Sequence, residues 1–344
     1  AGVTSGNTIK VLRTLSETTA PSVPAGTTVK LDMNDQTTTL TGVTLTNNGT
    51  LQIIGDGEII NTKSNTIKNN GTLNIEEGVK ITGVTTYVSG STGAESTIDN
   101  YGNLTVNGGT IIAKSADAIF NESTGIVTIN SGTIEGNKAI LRNFGTASTE
   151  ENPSVKILGG TLTAKTANGI TNKSSGLLYI GGGTISSKQT ASYPTIYNET
   201  GKIKIAGGTI ISENDRAVAN FYEGGYAEIT GGHIIGYYGV QNKGTLLITG
   251  GVIEGTDSSA VINNATVTLG KDDGTISTTS PRLIGSTHGL NNTSVFYYYD
   301  GLLQGVKGTG INGTVTGKPT GYNVVTTTRT EDGVVYNTSY LSNT

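Results

Sequence analysis

The chain has 344 residues, of which 51 are Gly and 6 are Pro, with no Cys, no Trp and a formal net charge of −4. Gly is roughly twice as frequent as in an average protein, and Gly and Thr form helices poorly, so a long helical protein is excluded. Scarce Pro without a strict Gly-X-Y period excludes collagen. A weakly acidic chain offers no electrostatic reason to bind nucleic acid. No apolar stretch approaches the ~18 residues that span a bilayer, so we expect no membrane insertion.

The N-terminal segment differs from the rest of the chain. Residues 1–43 contain Pro21 and Pro24 and lack the motif that recurs afterwards. Alternating apolar residues in the segment 28–34 (TVKLDMN) predict a first strand. We therefore interpret residues 1–43 as an N-terminal cap and entry strand, which would cover an otherwise open sheet edge.

Residues 44–305 are dominated by an internal repeat, in which an apolar residue, any residue and then Asn recur. Most of these asparagines lie 21 or 22 residues apart, with longer intervals of 26 to 31 residues. A short alternating strand follows each Asn, and then usually a Gly-rich turn and a second strand, as in residues 201–205 (GKIKI) and 207–211 (GGTII). Each period therefore predicts three short strands. The motif asparagines are Asn47, Asn69, Asn100, Asn121, Asn143, Asn172, Asn198, Asn220, Asn242, Asn263 and Asn292.

Short strands with one apolar face cannot bury that face alone, but stacked coils can. We therefore predict an all-β fold, a right-handed, single-stranded parallel β-helix of the pectate-lyase type, with about 11–12 coils of about 22 residues and terminal caps. In the last part, residues 306–344, alternation around Glu331-Asp332-Gly333 predicts a β-hairpin that caps the final coil. No linker is evident, so we expect one structural domain.

The asparagine column has a structural interpretation. Asn tolerates the left-handed backbone conformation that a sharp turn requires. Its amide also hydrogen-bonds well to the same residue in the coils above and below, which predicts a ladder. Because an Asn marks every coil, we interpret the column as structural and not catalytic.

Several segments carry a resemblance to known proteins. Residues 29–34 (VKLDMN) and the coils that contain NNGTL resemble the β-helical segments of large Firmicutes cell-surface proteins. Residues 296–305 (FYYYDGLLQG), 311–315 (INGTV) and 321–325 (GYNVV) are similar to the same proteins. These proteins are often wall-anchored and adhesin-like. The resemblance implies an extracellular segment on a bacterial cell surface or cell wall, belonging to a longer, wall-attached parent chain.

An enzyme is the alternative, because right-handed β-helices include polysaccharide lyases and hydrolases. Such sites need acids on adjacent coils, with Arg or Lys nearby or with paired carboxyl groups. Asp215-Arg216 is the best isolated acid and base pair, while Asp117, Glu213 and Asp257 are scattered. The residues that follow the motif asparagines show a mixture that indicates surface variation and no catalytic column: Glu122, Phe144, Lys173, Glu199, Phe221 and Lys243.

The sequence indicates no cofactor and no metal site. His233 and His288 are far apart, and no Cys accompanies them, so a transition-metal site is not expected. His233 replaces Thr in a GGTI motif, which predicts a surface position on a strand.

The aromatic residues give the clearest functional indication. Tyr offers an apolar face and a hydroxyl group, which suits sugar or peptide binding. If the residues in one part of the repeat align over about three coils, they form an aromatic strip beside an arginine. The predicted ligand-binding residues are Tyr193, Tyr197, Arg216, Phe221, Tyr222, Tyr226, Tyr237 and Tyr238.

We therefore predict a bacterial cell-surface adhesin or stalk that is not an enzyme. Its expected partner is a host-surface glycan or protein, bound through a patch on the solenoid. A polysaccharide lyase or glycoside hydrolase is the alternative. Ice binding ranks last, because motifs such as Thr44-Leu45-Thr46 do not recur on one face in coil after coil.

Overall fold

A computed structural model of the protein describes residues 5–83, 96–188 and 192–343. Every regular element within these ranges is a β-strand. Most strands pair in parallel between successive coils, which gives a β-solenoid of about 13 turns of about 23 residues. The predicted all-β solenoid is confirmed, with slightly more coils than expected. The chain divides into two compact units, residues 1–178 and 179–344.

The strands are numbered in chain order. Those that begin in the first unit are β1 (Asn7–Lys10), β2 (Leu15–Glu17), β3 (Ser22–Val23), β4 (Thr28–Asp32), β5 (Gln36–Leu40), β6 (Leu45–Asn47), β7 (Thr50–Ile54), β8 (Gly57–Asn61), β9 (Ile67–Asn69), β10 (Thr72–Ile75), β11 (Val79–Gly83), β12 (Ser96–Asn100), β13 (Asn103–Ala113), β14 (Asp117–Asn121), β15 (Ile126–Gly136), β16 (Leu141–Asn143), β17 (Val155–Ile157), β18 (Thr161–Ala164), β19 (Ile170–Asn172) and β20 (Leu177–Ile180).

Those of the second unit are β21 (Thr184–Ser187), β22 (Ile196–Asn198), β23 (Lys202–Ile205), β24 (Thr209–Ser212), β25 (Arg216–Asn220), β26 (Tyr226–Ile229), β27 (His233–Gly236), β28 (Tyr238–Asn242), β29 (Thr245–Ile248), β30 (Val252–Gly255), β31 (Val261–Asn263), β32 (Thr266–Leu269), β33 (Arg282–Gly285), β34 (Leu290–Asn292), β35 (Val295–Tyr298), β36 (Leu302–Gly305), β37 (Ile311–Asn312), β38 (Asn323–Glu331) and β39 (Val334–Ser342).

The core of each unit consists of apolar columns inside the coils. In the first unit, Leu73 pairs in register with Leu104, which pairs with Val127, and all three side chains are buried. In the second unit, Ile229 pairs with Ile248 in the next coil, and both side chains are buried. Burial of one such side chain contributes roughly 1.5–3 kcal/mol. Alternation along each strand leaves the intervening residues on the outer face, where function resides.

The solenoid begins earlier than the sequence indicated. Strand β1 pairs in parallel with β4, β2 with β5 and β3 with β6. The segment that we interpreted as a cap over the first coil therefore forms a coil itself. The repeat was not visible there because β3 ends in Val23 where later coils have Asn, although Val23 and Asn47 are in register.

The C-terminal hairpin lies on the last coil of the second unit. Strands β38 and β39 pair antiparallel, and β39 also pairs antiparallel with β36. Asp332 and Gly333 have φ angles of 50° and 78°, as a tight hairpin turn requires. Glu331 accepts hydrogen bonds from Arg282 and Gln304, which fastens the turn end of the hairpin to the coil. Beneath it, the buried Tyr298 hydroxyl donates to the carbonyl of Gly301 at 2.8 Å.

Candidate functional site

In most coils one strand ends at a motif asparagine, and we call the sheet of these strands the ladder sheet. In the first unit, β6, β9, β12, β14, β16 and β19 end at Asn47, Asn69, Asn100, Asn121, Asn143 and Asn172. In the second unit, β22, β25, β28, β31 and β34 end at Asn198, Asn220, Asn242, Asn263 and Asn292. These strands bury their first apolar residue and the Asn, and in β16, β22 and β31 the residue between them lies on the outer face.

The asparagine side chains form a hydrogen-bonded ladder within each unit. The Nδ2 atom of Asn220 donates to Oδ1 of Asn242 at 2.9 Å, and the same bond joins neighbouring rungs at 2.7–2.9 Å. Nδ2 of Asn220 also donates to the carbonyl oxygens of Gly225 and Thr245. None of these asparagines has a positive φ, so the expected left-handed turn role is wrong. They end strands, and their amides satisfy buried carbonyl groups of the adjoining turns.

Four of the predicted ligand residues, Tyr197, Arg216, Phe221 and Tyr222, are grouped around strands β22 and β25 of the ladder sheet in the second unit. Tyr197 is the outward residue of β22, and its ring lies 5.5 Å from that of Phe221 between ring centroids. Phe221 meets Tyr222 edge-on at 5.3 Å. Burial, followed by a hydrogen bond with Tyr222, raises the pKa of Tyr197 above its usual value, and Arg216 opposes this shift. Three rings and one guanidinium group therefore lie together.

The ammonium group of a fourth side chain completes this cluster. Lys243 follows Asn242, and its Nζ atom lies 4.0 Å from the centroid of the Phe221 ring, a cation–π contact. An open surface cavity of about 610 Å³ lies beside them, and its walls include Phe221, Tyr222, Glu223, Lys243 and Asn264. We call Tyr197, Phe221, Tyr222 and Lys243 the Phe221 site. The position of Lys243 directly after a motif Asn was the sequence signal that could have identified this residue.

Arg216 is held by contacts within the second unit. Its Nε and Nη2 atoms donate to the two carboxylate oxygens of Asp215, both at 2.9 Å, and Nη1 donates to Gln241 at 2.7 Å. Asp215 is buried and Arg216 is half-buried. Three nitrogen atoms of the guanidinium group already donate to these partners. The arginine therefore positions the site and does not present a free cation to a ligand.

The remaining predicted residues lie at three other places. Tyr238 pairs in register with Arg216, and its ring contacts Tyr237 edge-on at 4.7 Å. Tyr193 lies in the connection before β22 and is 48% exposed. Tyr226 begins β26, outside the ladder sheet. Because these residues are close in the sequence, we expected one aromatic strip. The path of the chain around the coil instead separates them.

A polar cluster in the first unit was missed by sequence reasoning. Asp99, the outward residue before Asn100, is only 8% exposed, and its Oδ1 atom has no hydrogen-bond partner in the structure. Burial and then the charge of Glu122 raise the pKa of Asp99 to about 6, against the opposing effect of Lys68. Burial also raises the pKa of Tyr101 to about 12. The Nζ atom of Lys68 lies 4.8 Å from the Tyr101 ring centroid.

The neighbouring coils of the first unit carry a second ring pair. Phe120 and Phe144 stack with centroids 5.1 Å apart and planes 21° apart. Asp117 and Arg142 form an ion pair at 2.6 Å, and Asp117 also accepts from the backbone N–H of Ala139. Burial raises the pKa of Asp117, against the effect of Arg142. We therefore interpret Asp117 as a buried carboxyl group with a structural role in the coil.

The two histidines serve separate contacts between coils. His233 meets Glu254 at 2.8 Å, and His288 contacts Thr309. In the part of the chain that the structure describes, no group of three or more His or acidic side chains is placed to hold a metal ion. The same part contains no helix that is long and apolar enough to cross a membrane.

Comparison of the chain with known proteins assigns no family to it. No protein-family model matches the chain, and no curated protein or solved structure matches it. The β-solenoid class therefore rests on the paired coils themselves.

Proposed function

We propose that this chain is a carbohydrate-binding segment of a bacterial cell-surface adhesin. The observation that carries the proposal is the Phe221 site, where the rings of Phe221 and Tyr222 and the ammonium group of Lys243 border an open cavity on the second unit, with the Tyr197 ring packed against Phe221. Aromatic faces stack on the apolar faces of sugar rings, and polar groups at the rim select the hydroxyl pattern. Tyr and Phe on a rigid sheet also lose little conformational entropy on binding.

The rigid coil supports this assignment. The hydrogen bonds that join the side chains of Asn198, Asn220 and Asn242 fix the three strands that present the site. Arg216 is anchored to Asp215 and Gln241, so the outer residues around Tyr197 are fixed as well. A site on regular strands is pre-organised, which lowers the cost of binding. The cell-surface location rests on the resemblance to Firmicutes surface proteins and is part of the proposal.

A glycan array tests the binding function. We expect the chain to retain glycans, and expect Tyr197→Ala, Phe221→Ala and Tyr222→Ala together to weaken binding at least about tenfold. The matched control is Tyr297→Ala with Tyr299→Ala, another stacked aromatic pair of the second unit, with centroids 6.3 Å apart. Absence of binding to any glycan, or equal binding by the triple variant, would overturn the proposal. Labelling of intact cells with an antibody to this segment tests the location.

A second candidate function is cleavage of an acidic polysaccharide. What favours it is the pair Asp99 and Glu122, in which burial and the charge of Glu122 raise the pKa of Asp99, because paired carboxyl groups act as acid and base in glycoside hydrolysis. The assay is release of reducing ends from polygalacturonate, with Asp99→Asn and Glu122→Gln as variants. Release that both variants abolish supports cleavage, and unchanged release in the variants contradicts it. Binding on the array without product release favours the adhesin.

A further inference from the structure

The cavity of the Phe221 site extends across three successive coils of the second unit. Its walls are formed in turn by three segments of the chain, residues 221–224, 243 and 264–265. The ladder asparagines that precede these segments pair in register from coil to coil, and they are Asn220, Asn242 and Asn263. Phe221, Lys243 and Asn264 therefore form one column, which extends over two coil spacings of about 4.8 Å, or about 10 Å in total. The cavity volume of about 610 Å³ lies in the range of small-molecule sites, which leaves room for a short oligosaccharide.

Lys243 places a positive charge at a fixed position in this cavity. Its Nζ atom lies 4.0 Å from the centroid of the Phe221 ring, and its side chain is half-buried. Among the described residues, no carboxylate lies within ion-pair distance of this ammonium group. The ring face attracts the cation, and a lysine ammonium group has three N–H donors. The ring therefore holds the charge in place and leaves donors for a ligand.

One carboxylate lines the same cavity, but it is the more exposed of the two charges. Glu223 lies between β25 and β26 and is exposed, whereas Lys243 is half-buried. Solvent and salt screen exposed charges more strongly than partly buried ones. Glu199 belongs to the coil before Phe221 and is not among the described residues of the cavity wall. The least screened charge that a ligand meets in the cavity is therefore positive.

Two further wall residues suit the neutral parts of a sugar. The Tyr222 ring meets Phe221 edge-on, and the residue is 48% exposed, so part of the ring is open to a ligand. Asn264 is exposed, and its Nδ2 atom donates to Oγ1 of Thr293 at 3.0 Å, which orients the amide. Its Oδ1 atom has no partner among the described residues and can accept a hydrogen bond. The cavity thus combines an aromatic surface, a cation and an amide acceptor.

We propose that the Phe221 site recognises an acidic oligosaccharide, with Lys243 paired to the carboxylate of a uronic acid. The inference rests on the proposed function and names the ligand class of the same site. The Tyr222 ring packs on the apolar face of one sugar, and Oδ1 of Asn264 accepts from a hydroxyl group of the next sugar. A hydrogen bond between ammonium and carboxylate groups is roughly twice as strong as one between neutral groups. Charge therefore distinguishes acidic sugars from neutral sugars of the same shape.

Isothermal titration calorimetry of the whole chain with trigalacturonate and with its methyl ester tests the ligand class. The ester keeps every ring and hydroxyl group of the acid but carries no carboxylate charge. At low salt, we expect the wild type to bind the acid at least about tenfold more tightly than the ester. High salt should reduce this preference, because ions screen the partly exposed pair. Equal binding of the two ligands, or tighter binding of the ester, overturns the acidic ligand class and leaves carbohydrate binding standing.

Three variants assign the preference to its residue. Lys243→Gln should bind acid and ester within about twofold of each other, since it lacks the ammonium group. Glu223→Gln is the matched control, because it removes the opposite charge from the same cavity and should keep or strengthen the preference for the acid. Tyr222→Ala should weaken binding of both ligands by a similar factor, since packing of the ring does not depend on the carboxylate. Melting temperatures near that of the wild type show that each variant folds.

The outcomes separate this inference from the proposed function. A preference for the acid that persists in Lys243→Gln, or that Glu223→Gln abolishes as well, overturns the role of Lys243. Unchanged binding by Tyr222→Ala overturns the placement of the sugar in this cavity. Retention of neutral glycans alone on the array overturns the acidic ligand class but not the carbohydrate-binding function. Absence of binding to trigalacturonate, to its ester and to every glycan on the array overturns the proposed function itself.

Discussion

The Nζ atom of Lys243 lies 4.0 Å from the centroid of the Phe221 ring, on the outer face of two adjacent coils. Both residues directly follow ladder asparagines, so the ring and the charge are fixed by the same hydrogen bonds that hold the coils in register. The position of the charge is therefore a property of the coil and not of a flexible loop. This relationship makes the charge dependence of binding a direct test.

Removal of that charge is expected to weaken binding of trigalacturonate. Lys243→Gln keeps a polar side chain of similar reach but loses the ammonium group, and we expect about tenfold weaker binding. Lys243→Arg keeps the charge and stacks on aromatic faces, so it should bind within about threefold of the wild type. Calorimetry at low and high salt checks both variants. Equal salt dependence in the wild type and Lys243→Gln would contradict a direct charge contact.

The ladder gives a prediction for stability. Asn220→Ala removes one hydrogen bond from each of four buried or part-buried groups: the amide nitrogen of Asn198, the amide oxygen of Asn242 and the backbone carbonyl groups of Gly225 and Thr245. We expect a loss of about 2–4 kcal/mol, measured by urea unfolding, because buried polar groups lose hydrogen-bond partners. Asn264→Ala, two coils further along the chain and exposed, should change stability by less than about 0.5 kcal/mol. Similar values for both variants would contradict the ladder's role.

Asp99 predicts how stability depends on pH. Its pKa of about 6 in the folded protein lies above the ordinary value of 3.8, so folding favours the protonated form. The stabilisation that this proton gives is fully present below about pH 4 and is lost as the pH rises through about 6. We expect the melting temperature of the wild type to fall over this range relative to Asp99→Asn, which carries no titrating group.

The control for this effect is Glu223→Gln, which removes an exposed carboxyl group of the second unit. Its stability should follow the wild type over the same pH range. A parallel pH dependence in the wild type and Asp99→Asn would show that Asp99 does not hold the proton. Carboxyl NMR of Asp99 measures the same pKa directly.

The C-terminal hairpin offers a test of backbone strain alone. A Cβ at Gly333 meets no atom within 4 Å, but its φ of 78° is unfavourable for Ala. We expect Gly333→Ala to cost about 1 kcal/mol and Gly333→Asn to cost less, because Asn tolerates this conformation. Gly224→Ala is the matched control, since Gly224 also has open space and no positive φ. Thermal melting checks all three variants, and equal costs at both glycines would contradict the turn geometry.

The sequence predicted much of this fold because the repeat is both local and periodic. Apolar alternation predicted the strands, and the spacing of the asparagines predicted their stacking. It failed in the first coil, where Val23 occupies the position of the ladder asparagine. A periodic pattern cannot mark a coil that lacks its defining residue.

The sites were less predictable, for two physical reasons. Tyr226 was grouped with Phe221 because the residues are close in sequence, but a turn separates them and Tyr226 begins a strand of another sheet. The shifted pKa of Asp99 depends on burial and on Glu122 in the next coil, which requires the register between coils.

An asparagine inside the ladder of either unit, such as Asn220 or Asn242, accepts from the asparagine of the coil before it and donates to the asparagine of the coil after it, with the same polarity each time. A coil is therefore an interchangeable part, since a copy inserted with its asparagine offers the same acceptor and the same donor that its neighbours had before. Such a chain lengthens or shortens by whole coils without redesign of its interior. A group of three coils that carries a surface site can be copied in one genetic event, and the copy arrives with its site already assembled.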